Sequence, residues 1–279
     1  MEYKREEHNT TNTLESIRHR RSVRTFEAKA LTQEDQEKIL AYANEVTNPY
    51  GIPIIWKLLS VKEDKVSSQV IVGADTYIAG KMQRAPHAEE AFGYAFERIV
   101  LFAESLGIGT TWIAGTMSRA AFERVMEVGP DEVMPCVSPL GYPADKMSLR
   151  EKAMRKSIKA DSRIAFEELF FSNSFSSPLQ SSSDEALSDA LEMVRLAPSA
   201  VNKQPWRIVL TDGAAHFYEK QSAGLRDGSG WDLQKIDIGI AMYHFEAAMA
   251  EHGKTVSFSV NDPGIDAPNG TEYVISCKF

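Results

Sequence analysis

Two segments of the chain gather side chains suited to chemistry. The first, RHRRSVR, sets Arg18, Arg20, Arg21 and Arg24 around Ser22 with no acid among them. Guanidinium groups fork onto phosphate oxygens and a serine hydroxyl adds a donor, so this mixture suits an extended segment or helix end that wraps a phosphomonoester. The second is APSAVNKQPWRI, residues 197–208, where a helix ends against Pro198, a Ser199-Ala200 turn follows, and Asn202 alternates with Gln204 before Trp206. Two apart in an extended chain, these amides point the same way, and each offers a donor and an acceptor. The pair suits a flat heterocycle with carbonyls and ring nitrogens, or the hydroxyls of a ribityl chain. The competing reading is a polar loop that solvates itself.

Charge narrows the ligand. The 279 residues hold 31 Lys+Arg against 39 Asp+Glu, a net −8. A second basic island, 146–163, carries Lys146, Arg150, Lys152, Arg155, Lys156, Lys159 and Arg163 against two acids. Removing the +4 of the first island and the +5 of the second from −8 leaves −17 for the remainder. So acidic a chain is not expected to be a general nucleic-acid or anionic-membrane binder; two basic islands in it instead suggest one discrete anion. For 146–163 a solvated helix face is an equal alternative.

The elements that must position these segments are largely readable. LTQEDQEKILAYANEV (31–46) predicts a helix with Thr32 as N-cap, stopping near Asn48-Pro49. IPIIWKLLSV (52–61) and VSSQVIVGA (66–74) read as strands, and GADTYIAGKMQRAPH (73–87) as a possible cover over a ligand. In 88–107, Phe92, Phe96, Ile99, Val100, Ala103 and Leu106 recur at helical spacing before Gly107, predicting a largely buried helix. IGTTWIAG follows as a strand or extended turn, then a short helix near 118–127 and the strand VMPCVSPLGYP. The serine-rich stretch 172–185 reads as a linker or long crossing. Beyond it come helices over 185–197 and 235–253 and strands at WRIVLTD, HFYEK, KTVSFSV and EYVISCKF. Residues 1–13 read as a loose arm, with a short helix over 14–20.

The two halves echo each other. Gly93 to Gly107 and Gly239 to Gly253 bound helices of equal spacing, and each half places a Trp-containing strand (Trp56, Trp206) ahead of that helix. This pattern supports an internal duplication. Cys136 and Cys277 lie in apolar runs and read as buried packing thiols, too few for a disulfide framework. The six histidines show no paired ligand spacing, and His244 reads as a satisfied core residue. No signal peptide or membrane span is visible, which makes the cytoplasm the expectation.

RHRRSVRTF, GIGTTWIAG, LGYPADK and APSAVNKQPWRI together resemble the FMN-dependent nitroreductase family, most closely the subgroup in which one chain carries two nitroreductase-like halves. The resemblance implies an α+β fold, a central, mostly antiparallel sheet flanked by helices. It implies one domain over 14–279, half A about 14–165 and half B about 166–279. It also implies an NAD(P)H-dependent flavin oxidoreductase, passing hydride through flavin N5 to a nitroaromatic, quinone or similar acceptor by a ping-pong scheme. Carried over by position, the arginine-serine segment puts Arg20, Arg21, Ser22 and Arg24 on the FMN phosphate and pyrimidine edge. The P-S-x-x-N-x-Q turn, contributed in the family by the other subunit, maps to Pro198, Ser199, Ala200, Asn202 and Gln204. The strand along the flavin ring, with a backbone N–H near N5, maps to Ile113, Ala114 and Gly115. A basic residue at the phosphate maps to Arg163, with Arg155 and Lys159 behind it. No catalytic side chain and no metal are implied.

The order of the motifs departs from the common pattern. The place after the arginine motif holds ANEVTNPYGIPIIW, without an Asn-x-Gln pair; Asn202 stands 180 residues beyond Ser22. The second half conversely opens with FFSNSFSS and lacks the arginines. Each half therefore keeps what the other lacks, and the expectation is one composite FMN site per chain in a monomeric pseudo-dimer. An FMN-binding storage or sensor protein, and a phosphate-ligand module without flavin, are the alternatives.

Overall fold

The computed structural model describes residues 11–222 and 231–279. Helix α1 (Thr11–His19) leads into an extended stretch, and α2 (Gln33–Glu45) follows, its N-terminus capped by Thr32 Oγ1, which accepts from Asp35 N at 3.1 Å. Strand β1 (Ile55–Ser60) and the one-turn α3 (Val61–Asp64) precede β2 (Thr76–Gln83). The long α4 (Ala88–Ser105), α5 (Arg119–Met126), β3 (Glu132–Val133) and β4 (Val137–Leu140) complete the first unit. β2 is its hub, antiparallel to β1, β3 and β4.

Helix α6 (Leu149–Ser157) and the one-turn α7 (Phe166–Leu169) lead to β5 (Phe170–Ser172), α8 (Glu185–Leu196) and a single 3-10 turn at Ala200–Asn202. Strands β6 (Trp206–Thr211) and β7 (Ala214–Lys220), helix α9 (Leu233–Glu251), β8 (Ser257–Ser259) and β9 (Thr271–Lys278) follow. The second sheet runs β5-β6-β7-β9-β8, with β5 parallel to β6 and the other pairs antiparallel. The antiparallel sheet is thus present twice, and the pairing β1-β2-β4 of the first corresponds to β6-β7-β9 of the second.

Between the sheets α4 packs on α9 and α8 packs on α9, burying Phe92, Phe96, Ile99, Ile240, Phe245 and Met249 in one core cluster. Removing such apolar surface from water is the main stabilising contribution here. One polar network crosses this core. Glu97 Oε1 stands 3.0 Å from His244 Nε2, Glu97 Oε2 accepts from Trp112 Nε1 at 3.0 Å, and His244 Nδ1 donates to Met193 O at 2.8 Å. Glu97 and His244 are fully buried and fully partnered, as a satisfied core histidine requires. Both cysteines are buried and free.

Two expectations for the first half are corrected. Residues 66–74 form no strand: Val66 and Val70 are buried, but from turns, with Ser68 Oγ donating to Thr116 O at 2.9 Å and bridges only at Ser68 and Val72. The stretch expected as a cover holds β2 instead. Buried on both faces, β2 shows no alternation to read. Its Gly80 makes room for the Trp56 ring, since a Cβ there would lie 2.2 Å from Trp56 Cζ3. As to the N-terminal arm, residues 1–10 lie outside the described residues, while 11–13 already belong to α1. Among the described residues no helix is long and apolar enough to cross a membrane.

Candidate cofactor site

The segment after α1 is threaded between two others. Val23 N donates to Thr110 O at 2.8 Å, Val72 N donates to Arg24 O at 2.9 Å, and Phe26 N donates to Val72 O at 2.8 Å. Held straight in this way, the chain buries Val23 and Phe26 and turns Arg20, Arg21 and Ser22 toward a cavity of about 80 Å³. The opposite wall comes from the second half, with Pro198, Ser199 and Asn202, and from the connection between halves, with Arg163. Seven of the expected site residues thus meet at one place although Ser22 and Asn202 are 180 positions apart. Arg155, Ile158, Ala160 and Asp161 also line it.

The chemistry of the lining is cationic. Four guanidinium groups (Arg20, Arg21, Arg155, Arg163) face one carboxylate, Asp161, which is paired with Arg155. Two buried donors of the lining, Arg20 Nε and Arg163 Nε, remain without an acceptor, as does Arg24 Nη1 outside it. Burial pushes Arg163 down from its ordinary pKa, with Arg20 and Arg195 adding repulsion, and burial pushes Arg24 down as well. Crowded, desolvated cations with unused N–H groups fit a phosphoryl group, which would supply both the missing acceptors and the missing charge.

Several expected residues, some of them in the lining, are engaged by the protein itself. Arg24 lies outside the cavity lining, beside Glu151. Arg163 donates to the carbonyls of Ala160, Ser162 and Leu196, joining α8 to the connection before β5. Asn202 Nδ2 donates to Lys159 O at 2.8 Å and Ser162 O at 3.1 Å, while Gln204 Oε1 accepts from Ile164 N at 2.9 Å. The two amides do face one way, toward 159–164, and they clamp protein backbone. The turn is not extended, because Val201, Asn202 and Gln204 have φ of 44°, 58° and 49°. A β-branched residue in that region, Val201, is strained. Ala200 N donates to both carboxyl oxygens of buried Asp237, at 3.0 and 3.1 Å, and Gln204 N donates to Ser199 Oγ at 2.8 Å.

The third segment stands apart from the cavity, since Ile113, Ala114 and Gly115 are not among its lining residues. Ile113 exchanges both backbone hydrogen bonds with Val137, at 2.9 Å each. Its amide is therefore engaged, whereas those of Ala114 and Gly115 make no hydrogen bond among the described residues. Gly115 is exposed.

Sequence reasoning missed Glu151, which is 2% exposed inside the basic island. Its Oε1 accepts from Arg21 Nη1 at 3.1 Å and its Oε2 from Thr25 Oγ1 at 2.8 Å. The available signal was Ser148-x-x-Glu151, a capping-box spacing: Ser148 Oγ accepts from Glu151 N at 3.1 Å, while the Glu151 carboxylate turns to the arginine segment. Asp237 was missed too, being an acid set in the apolar first half of α9.

Comparison with known proteins agrees with this architecture. No curated protein sequence matches the chain. A crystal structure described as a "putative nitroreductase" from Thermotoga maritima superposes with a TM-score of 0.61 at 20% identity, covering 100% of this chain and 98% of that one, a likeness of fold. An FMN-dependent nitroreductase from Clostridium difficile covers 48% of this chain and 88% of its own, at 19% identity and TM-score 0.41. A "putative nitroreductase in complex with FMN" from Desulfovibrio desulfuricans covers 50% and 94%, at 18% and 0.40. The family model described as "Putative TM nitroreductase" matches residues 12–249, most of the sequence, and the chain therefore belongs to that nitroreductase family.

Proposed function

We propose that the protein is an FMN-dependent oxidoreductase that accepts hydride from NAD(P)H and reduces a nitroaromatic, quinone or similar small acceptor. The observation that carries this reading is the convergence of Arg20, Ser22 and Arg163 with Ser199 and Asn202 on one cavity, with buried guanidinium N–H groups left over. A bound FMN would supply the hydride chemistry. The chain's own residues bind, orient and shield it. Arg20, Arg21, Ser22 and Arg163 hold the phosphoryl group; Asn202 and Gln204 fix the wall around it; the Ala114 or Gly115 amide donates to the ring edge. Arg24, half-buried next to Glu151, keeps a further cation close to the site.

The two walls come from different halves, about 14–165 and 166–279, which supports one composite site per chain and a monomer as the working unit. The test is the flavin content of the purified chain followed by anaerobic reduction. One FMN per chain, bleached by NADPH or NADH, is the expected result. Two FMN per chain would remove the composite site, and a chain that takes up no FMN would remove the reading. A flavin that neither donor bleaches would leave a storage or sensor protein.

A further inference from the structure

A second, larger cavity of about 400 Å³ adjoins the small one along α6 and shares Arg155, Ala160 and Asp161 with it. Lys152, Lys156 and Lys159 line it as well. Lys152 and Lys156 stand four apart on α6 and so share a face. Lys159 follows in the turn whose carbonyl is held by Asn202. These three lysines make no ion pair among the described residues; the one carboxylate of the lining, Asp161, is engaged by Arg155. A group of exposed, unpaired cations at the end of a phosphate site attracts a further anion.

We infer that this groove is the subsite for the adenosine 2′-phosphate end of the nicotinamide donor, with Lys152, Lys156 and Lys159 selecting NADPH over NADH. The inference rests on the flavin reading above. Three features lead to it. The groove is open to solvent, with its lysines exposed, which suits a diffusible ligand rather than a resident cofactor. It continues from the flavin's phosphate end. A donor whose nicotinamide stacks on the flavin ring is a longer molecule than FMN, so one laid along the phosphate side brings its adenosine end past that phosphate into the adjoining groove. Finally, the lining cations exceed what one diphosphate needs, and the 2′-phosphate is the charge by which NADPH differs from NADH.

The test uses calorimetry on the full chain with 2′,5′-ADP and 5′-AMP as probes, at low and at physiological salt. Binding of 2′,5′-ADP is expected to be about tenfold tighter than that of 5′-AMP, to weaken with salt, and to lose that margin in Lys152→Ala/Lys156→Ala. Neither lysine lines the small cavity, so the FMN content of the variant should equal that of the parent. Equal affinity for the two probes, or a margin unchanged in the double variant, would overturn the inference. Discrimination between the probes by a flavin-free chain would sustain the subsite while removing the flavin reading. A yellow chain indifferent to 2′-phosphate would do the reverse. In the flavin-loaded protein, kcat/KM for NADPH over NADH should fall about tenfold in the same variant; an unchanged ratio counts against the lysines.

Discussion

Gly93 and Gly239 occupy reciprocal places at the crossing of α4 and α9. A Cβ on Gly93 would stand 2.0 Å from the carbonyl oxygen of Ile236, three residues before Gly239; a Cβ on Gly239 would stand 2.1 Å from that of Glu90, three residues before Gly93. The same contact made twice, with the helices exchanged, is what a two-fold axis through the crossing produces. Each glycine lets one helix backbone rest on the other, and neither clash could be relieved by moving a flexible side chain.

Gly93→Ala and Gly239→Ala should each destabilise the fold by about 1–3 kcal/mol or more, since overpacking here pushes on backbone. Gly115→Ala, where a Cβ meets nothing within 4 Å, should stay within about 0.5 kcal/mol. Urea denaturation of the three variants checks this, and equal midpoints for all three would contradict it.

The Glu97–His244 pair joins α4 to α9 by direct contact at 3.0 Å. Glu97→Leu strands His244 Nε2 and Trp112 Nε1 and should cost about 3–5 kcal/mol, as breaking a buried pair does. Glu97→Gln keeps an acceptor for Trp112 and should cost less. The double variant Glu97→Leu/His244→Leu should recover part of the loss, and a double-mutant cycle by denaturation measures how much.

Asp237 gives the fold a pH signature. Burial pushes its carboxyl well above the ordinary range, with the charges of Asp232 and Glu219 adding to the effect and the Ala200 amide opposing it. From the unfolded value of about 3.9 up to the raised folded value, the native state binds the extra proton. Its contribution is therefore fully present below pH ~4 and is lost as pH rises toward the folded value. Asp237→Asn retains an acceptor for Ala200 and should flatten this slope. Urea midpoints between pH 4 and 7 should converge for the two proteins at low pH and separate at high pH. Parallel curves would exclude Asp237 as the source.

Arg20→Ala and Arg163→Ala each remove a charged donor from the small cavity. Each should weaken FMN binding by about 1.5–3 kcal/mol, roughly ten- to a hundredfold, read from flavin fluorescence on titration. Asn202→Ala acts at one remove, by releasing the carbonyls of Lys159 and Ser162. Its effect on FMN should be accompanied by a lower melting temperature, and an affinity loss without that change would mean that Asn202 touches the cofactor directly.

Much of this was legible in residue types. The helices α2, α4, α8 and α9 could be read because caps and apolar spacing coincide, and both walls of the cavity because arginine-serine and Asn-x-Gln clusters are unusual in an acidic chain. β2 could not be read: a strand paired on both edges and buried on both faces has no polar alternation, and its Gly80 serves Trp56. Spacing also could not say what Asn202 and Gln204 hold. An i, i+2 amide pair offers the same donors to a heterocycle as to backbone, and only the left-handed φ values at Val201, Asn202 and Gln204 reveal a clamp on 159–164. Glu151 was hidden by its neighbours, because a lone acid among lysines looks solvated until Arg21 and Thr25 are brought across from 126 and more residues away.

The connection between the halves, the stretch through Arg163 that joins α6 to α7, bears on how such a site persists. In an assembly of separate chains, two walls meet only as often as dilution allows. Here the tether makes their encounter unimolecular, at an effective concentration set by its length. In the proposed monomer the integrity of the cavity is then independent of how much protein is present. On the proposed duplication, arginines could be lost from one half and the amide turn from the other without the site coming apart.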